Sequence, residues 1–150
     1  MYGPCIFWSS LMLQPHTNSP GLEAGVTPAM IRRLVNGFYA QVRLDERLGP
    51  VCAAHVKDWE EHLDKMCAFW SSVTLMTGEY KGRPMQVHAR LPEISDALFL
   101  QWLILFQRAA GEHCPPEAAS LFIDRAERIA ESLKLGIAMH RQRGAQVVAD

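Results

Sequence analysis

From Thr27 onward the apolar side chains return every three or four residues, and no segment alternates with a period of two. That rhythm leaves helices as the regular element from which this chain can build a core. Ile31, Leu34, Val35, Phe38 and Val42 form the stripe of a first helix, with Thr27 as N-cap and Pro28 at the first helical position. It is expected to end near "LDERLGP", where Gly49–Pro50 forces a turn. A second helix begins at Asp58, with Glu61 completing a capping box, and runs to about Thr77 with Gly78 as its stop. A third starts near Ser95 and runs through "DALFLQWLILFQRAAG" to Gly111. A fourth opens at "CPPEAA", carries Phe122, Ala126, Ile129, Leu133 and Ile137 on one face, and closes at Gly144. The chain is therefore expected to be an all-α domain of four long helices.

Its 150 residues suit a single domain over residues 26–143, followed by a tail over 144–150. The net charge of −1 is spread along the chain without a basic stripe, which argues against nucleic acid as a partner. Cys5, Cys52, Cys67 and Cys114 form no C-x-x-C pair and suggest no disulfide framework, so a reducing cytoplasm is the expected setting. Residues 1–25 hold an apolar stretch but no Lys or Arg, and Pro4, Pro15, Pro20 and Gly21 interrupt it. The stretch is a poor signal peptide and falls far short of the ~20 apolar residues that span a bilayer. We read it as a poorly ordered extension that docks through Phe7 and Trp8.

Two features do not fit a plain core. The segment "GEYKGRPMQVHARLP", residues 78–92, places His88 between helix breakers, with room for one or two turns. A turn that short builds little core, but it aims a ring, and loops often carry function. Each of three helices also puts a polar ring on or beside its apolar face. Tyr39 flanks the first stripe, His62 lines up with Met66, Phe69 and Val73, and Trp102 lines up with Leu98, Leu105 and Ala109. Taken singly, each has an ordinary reading as a packed ring whose polar atom meets water or a carbonyl. No phosphate-loop, dinucleotide, nucleophile-elbow or H-E-x-x-H motif occurs. His62, Cys67 and His88 lack the paired close spacing of a structural zinc site.

Together, "GFYAQVR", "LGP", "DWEEHLDKMCAFWSSVTLMTGEYKGRPMQVHARLP" and "FLQWLILF" resemble the group III truncated haemoglobins, from about Met30 to Ile137. The resemblance implies a truncated globin, a two-over-two helical sandwich with a reduced proximal F segment. It implies haem b as cofactor, with His88 as the proximal ligand to iron. It makes Tyr39 and His62 the distal tyrosine and histidine, and Trp102 the indole on the ligand side. Phe38, Met66, Phe69 and Phe106 become apolar walls, and Lys81, Arg83 or Arg90 become partners for the propionates.

The expected ligands are O2, NO, CO and related diatomics, held by donors on two sides. Such holding suits NO-detoxifying or peroxidase-like redox chemistry more than carriage, with electrons from a separate reductase. A sensor or scavenger without turnover, and a haem-free helical interaction protein, are the competing readings. One departure stands out: Cys52 occupies the position where the family places a phenylalanine against the haem. A thiol covers less of the porphyrin than a phenyl ring, so weaker haem retention is expected there. His55 is an alternative distal residue.

Overall fold

The computed structural model describes residues 14–84, 88, 91 and 93–149. Phe7, Trp8 and Arg90 lie outside the described residues. Among the described residues six helices follow one another: α1 (Pro20–Glu23), α2 (Pro28–Leu44), α3 (Leu48–His55), α4 (Trp59–Leu75), α5 (Asp96–His113) and α6 (Pro116–Ala149). Among the described residues there is no strand, and no helix is long and apolar enough to cross a membrane.

Three long helices begin where their caps dictate. Thr27 Oγ1 accepts the Met30 amide at 3.1 Å, Asp58 Oδ1 accepts the Glu61 amide at 3.1 Å, and Ser95 Oγ accepts the Leu98 amide at 3.3 Å. Each side chain satisfies a donor that the first turn leaves without a partner, a contribution of about 1 kcal/mol.

The helix ends depart from expectation, each for a local reason. Gly49 and Pro50 do not form a turn but lie inside α3. Pro50 is the third residue of that helix, where its missing N–H would have had no intrahelical partner. Asp45 supplies the turn instead, its Oδ1 accepting the amides of Arg47 and Leu48 at 2.9 Å each. Helix α4 stops at Leu75, where Met76 takes the left-handed conformation with φ of 55°; Gly78, with φ of 70°, turns the chain again two residues further on. Gly111 and Gly144 are both passed through, since α5 runs to His113 and α6 to Ala149. A helical glycine costs about 1 kcal/mol relative to alanine, which neighbouring turns can offset.

The part of the N-terminal extension that is described is packed. The His16 amide donates to the Leu75 carbonyl at 2.8 Å, taking one of the acceptors left over at the end of α4. Ser19, Gly21 and Val26 are buried. Gly21 sits so close to the Thr74 carbonyl and the Leu75 side chain that no Cβ would fit between them.

The long helices form two antiparallel pairs. Along α2 and α4 the contacts run Arg32 with Asp64, Tyr39 with His62, and Arg43 with Trp59, so one helix rises as the other falls. Between α5 and α6, Gln107 meets Glu127, and Phe99 packs with Leu133 and Ile137. The pairs meet through α2 against α5, where Asp45 bonds Gln101 and Phe38 packs on Phe106. At the junction Phe106 stacks on Trp70, at 4.9 Å between centroids, and Trp70 meets Phe122 edge-on at 5.7 Å. Phe106 and Phe122 are fully buried. Each such ring withdraws enough apolar area to contribute about 2–3 kcal/mol, which makes this aromatic seam the main glue between the layers.

Candidate functional site

On the side of the seam facing α3, the rings become half-exposed. Phe38 is buried (2% exposed) and acts as the floor. Its ring meets Tyr39 at 4.9 Å, Trp102 at 5.5 Å and Phe106 at 5.3 Å between centroids, all edge-on. Trp102 stacks on Phe106 at 5.3 Å with the planes only 9° apart, so its indole continues the aromatic seam outward from the core. Across from it, Tyr39 meets the His62 imidazole at 4.9 Å. The structure thus brings Tyr39 from α2 and Trp102 from α5 onto one floor, with His62 from α4 packed against Tyr39. Met66, Phe69 and Cys52 lie half-buried against the same core cluster. Lys81 and Arg83 are exposed on the loop that follows α4.

Trp59 was not singled out from the sequence, yet it touches both polar rings, at 6.0 Å from Tyr39 and 5.7 Å from His62. Its place three residues before His62 on α4 was the available signal. The Arg43 guanidinium lies 4.4 Å over its indole, a cation–π contact that closes this end of the α2–α4 pair. His55 does not join the cluster. It ends α3 with Nε2 at 3.2 and 3.3 Å from the two carboxylate oxygens of Glu93.

Burial sets the protonation of the cluster. The Tyr39 phenol is pushed far above the usual tyrosine range, first by desolvation and then by the neighbouring Cys52 and Cys67 thiols. It is therefore a proton donor at any physiological pH. Desolvation holds His62 below the usual histidine value, helped by the nearby Lys65 and His88 side chains, so its ring is neutral at pH 7. The Cys52 and Cys67 thiols are pushed up, chiefly by burial, and stay protonated.

His88 carries the most specific geometry. Its Nδ1 lies 2.7 Å from the Pro84 carbonyl oxygen. A carbonyl only accepts, so Nδ1 carries the proton and the Nε2 lone pair is available for coordination. This is the tautomer an imidazole needs to bind a metal through Nε2, with its orientation set by an outer partner.

An all-helical fold of two crossed antiparallel pairs, with polar rings gathered over an aromatic floor, defines a two-over-two globin. The solved crystal structure of group III truncated hemoglobin from Campylobacter jejuni is similar at a TM-score of 0.71 and 30% identity, covering 75% of this chain and 91% of that one. The curated Group 3 truncated hemoglobin ctb of Campylobacter jejuni is 33% identical over 104 residues, which is 67% of this chain and 82% of the relative. No family model matches. The chain belongs to the group III truncated haemoglobins.

Proposed function

We propose that this protein binds haem b through His88 and holds a small diatomic ligand beneath Tyr39, His62 and Trp102. The observation that carries the reading is the Nδ1–Pro84 carbonyl bond at 2.7 Å, which leaves Nε2 as the coordinating nitrogen. The residues present fit the group: one imidazole in the coordinating tautomer, an aromatic and aliphatic wall, and proton donors on two other helices. When bound, haem supplies an iron with one position left open for O2, NO or CO.

Everything else falls to the side chains. The Tyr39 phenol would donate a hydrogen bond to a polar ligand, and burial keeps its proton on the oxygen. Trp102 offers an indole N–H from the α5 side, a donor that cannot change protonation state. His62 is neutral and in contact with Tyr39, so it can hold the phenol's orientation and accept or return a proton during chemistry. Met66 and Phe69 limit water, which strengthens each donor. Two donors on different helices slow ligand escape, and that favours redox turnover of NO or peroxide with electrons from a separate reductase. Cys52, half-buried and protonated, fills less of the wall than a phenyl ring would.

The test is the visible spectrum of the hemin-loaded protein, ferric, reduced, and reduced with CO, beside His88→Ala. We expect a Soret band that moves at each step and is lost or altered in the variant. Absence of hemin uptake by the wild-type chain sinks the reading. Multiple-turnover NO consumption with a reductant separates catalysis from sensing, because a sensor would stop after one equivalent.

A further inference from the structure

The turn after His88 is held by a short run of hydrogen bonds. The Leu91 amide donates to the His88 carbonyl at 3.1 Å, and the Ile94 amide donates to the Leu91 carbonyl at 3.3 Å. One side chain takes the carbonyls at the end of that run. Arg141 Nη2 donates to the Ile94 carbonyl at 3.0 Å and to the Leu91 carbonyl at 3.4 Å. Backbone carbonyl oxygens carry partial negative charge, so a guanidinium there binds by both charge and hydrogen bond.

Arg141 is delivered by the outer part of α6, the part beyond the expected core stripe. It lies one turn after Ile137, which is buried in the small cluster that also packs Ile94 and Phe99. The same helix face therefore grips the turn twice, through an apolar contact at Ile94 and through the guanidinium one turn on. From the other side, Glu93 is paired with His55 at the end of α3.

We propose that Arg141 is a positioning residue for His88: by clasping the Leu91 and Ile94 carbonyls it fixes the turn that aims the coordinating nitrogen. The proposal rests on the haem reading above. It also gives a reason for α6 to continue as a regular helix beyond Ile137, the last buried residue of its apolar face.

The experiment uses the full chain loaded with hemin, comparing wild type with Arg141→Ala and Arg141→Lys. Arg143→Ala, another exposed arginine of α6, serves as control. We expect Arg141→Ala to release hemin about tenfold faster, the low end of what removing an outer partner costs a metal site. The iron–histidine stretching band of the reduced protein should also shift or broaden. Arg141→Lys should recover most of both, and Arg143→Ala should change neither. An unchanged release rate and an unchanged stretching band in Arg141→Ala overturn the proposal. Amide exchange at Leu91 and Ile94 in the hemin-free chain reads the clasp separately: it should speed up in Arg141→Ala, and no change there overturns the clasp itself. Hemin-free wild-type protein that takes up no hemin would sink the haem reading, with the exchange result still deciding whether Arg141 holds the turn.

Discussion

At the scale of the residue, Tyr39 shows how one position joins packing to chemistry. Its ring is wedged between Phe38 and His62, and its hydroxyl is the only part a phenylalanine would lack. Tyr39→Phe should therefore leave stability within about 1 kcal/mol of wild type, because the ring contacts remain. Ligand release, followed by stopped flow on the hemin-loaded protein, should accelerate about tenfold for loss of one hydrogen bond to a partly charged acceptor. An unchanged release rate would remove Tyr39 from the ligand side. The pH sign follows from its raised pKa. In the fold the phenol keeps its proton above its ordinary value of 10.0, whereas unfolded tyrosine loses it there, so this stabilisation is complete below pH 10 and fades as pH rises further. Tyr39 could be picked out by its place on the stripe of α2. His88 could be picked out by the breakers around it, but its bond to Pro84 could not, because which nitrogen a ring exposes is settled by a backbone carbonyl four residues away.

At the scale of the element, the starts of helices were readable and the ends were not. A start is written in one side chain, as at Thr27, Asp58 and Ser95, whose oxygen closes a bond within three residues. An end depends on whether packing beyond it offsets a breaker, which is why Gly111 and Gly144 failed to stop their helices. Asp45 is the sharpest case. Its Oδ1 starts α3 and its Oδ2 accepts from Gln101 Nε2 at 2.6 Å, so one carboxylate sets the corner that carries Cys52 and ties it to α5 beside Trp102. Asp45→Ala should cost about 1 kcal/mol at pH 7, the usual cost of a lost helix cap, measured by urea unfolding. The Leu48 amide foremost, then Gln101 and Arg47, hold the carboxyl below its ordinary value of 3.8. Its contribution is thus full above the ordinary carboxyl range and is lost as pH falls through the lowered folded value, so wild type and Asp45→Asn should converge in stability on acidification below that range. A gap that stays constant with pH would mean the charge is not what matters.

At the scale of the whole molecule, the N-terminal strap over the end of α4 tests how far the domain extends. The apolar pattern begins at Thr27, yet Ser19 and Gly21 are buried and His16 completes the hydrogen bonding of Leu75. Gly21→Ala would drive a methyl group into the Thr74 carbonyl, which is backbone and cannot swing aside. We expect a loss of about 1–3 kcal/mol in urea unfolding, the usual cost of overpacking. A neutral result would show that the strap lifts off freely.

The amino-acid sequence by itself determined the all-helical class, the caps at Thr27, Asp58 and Ser95, and the faces on which Tyr39, His62 and Trp102 lie. All of these follow from the helical period and from bonds that close within one turn. Only the tertiary structure decided that Tyr39 and Trp102 meet over Phe38 with His62 against Tyr39, that Trp59 joins them, that His55 turns to Glu93, and that Arg141 reaches the turn after His88. A helix's period says which side chains share a face. Where two helices cross, and at what height along each, is set by how their side-chain ridges interlock across the seam of Phe106, Trp70 and Phe122, between residues far apart in the chain.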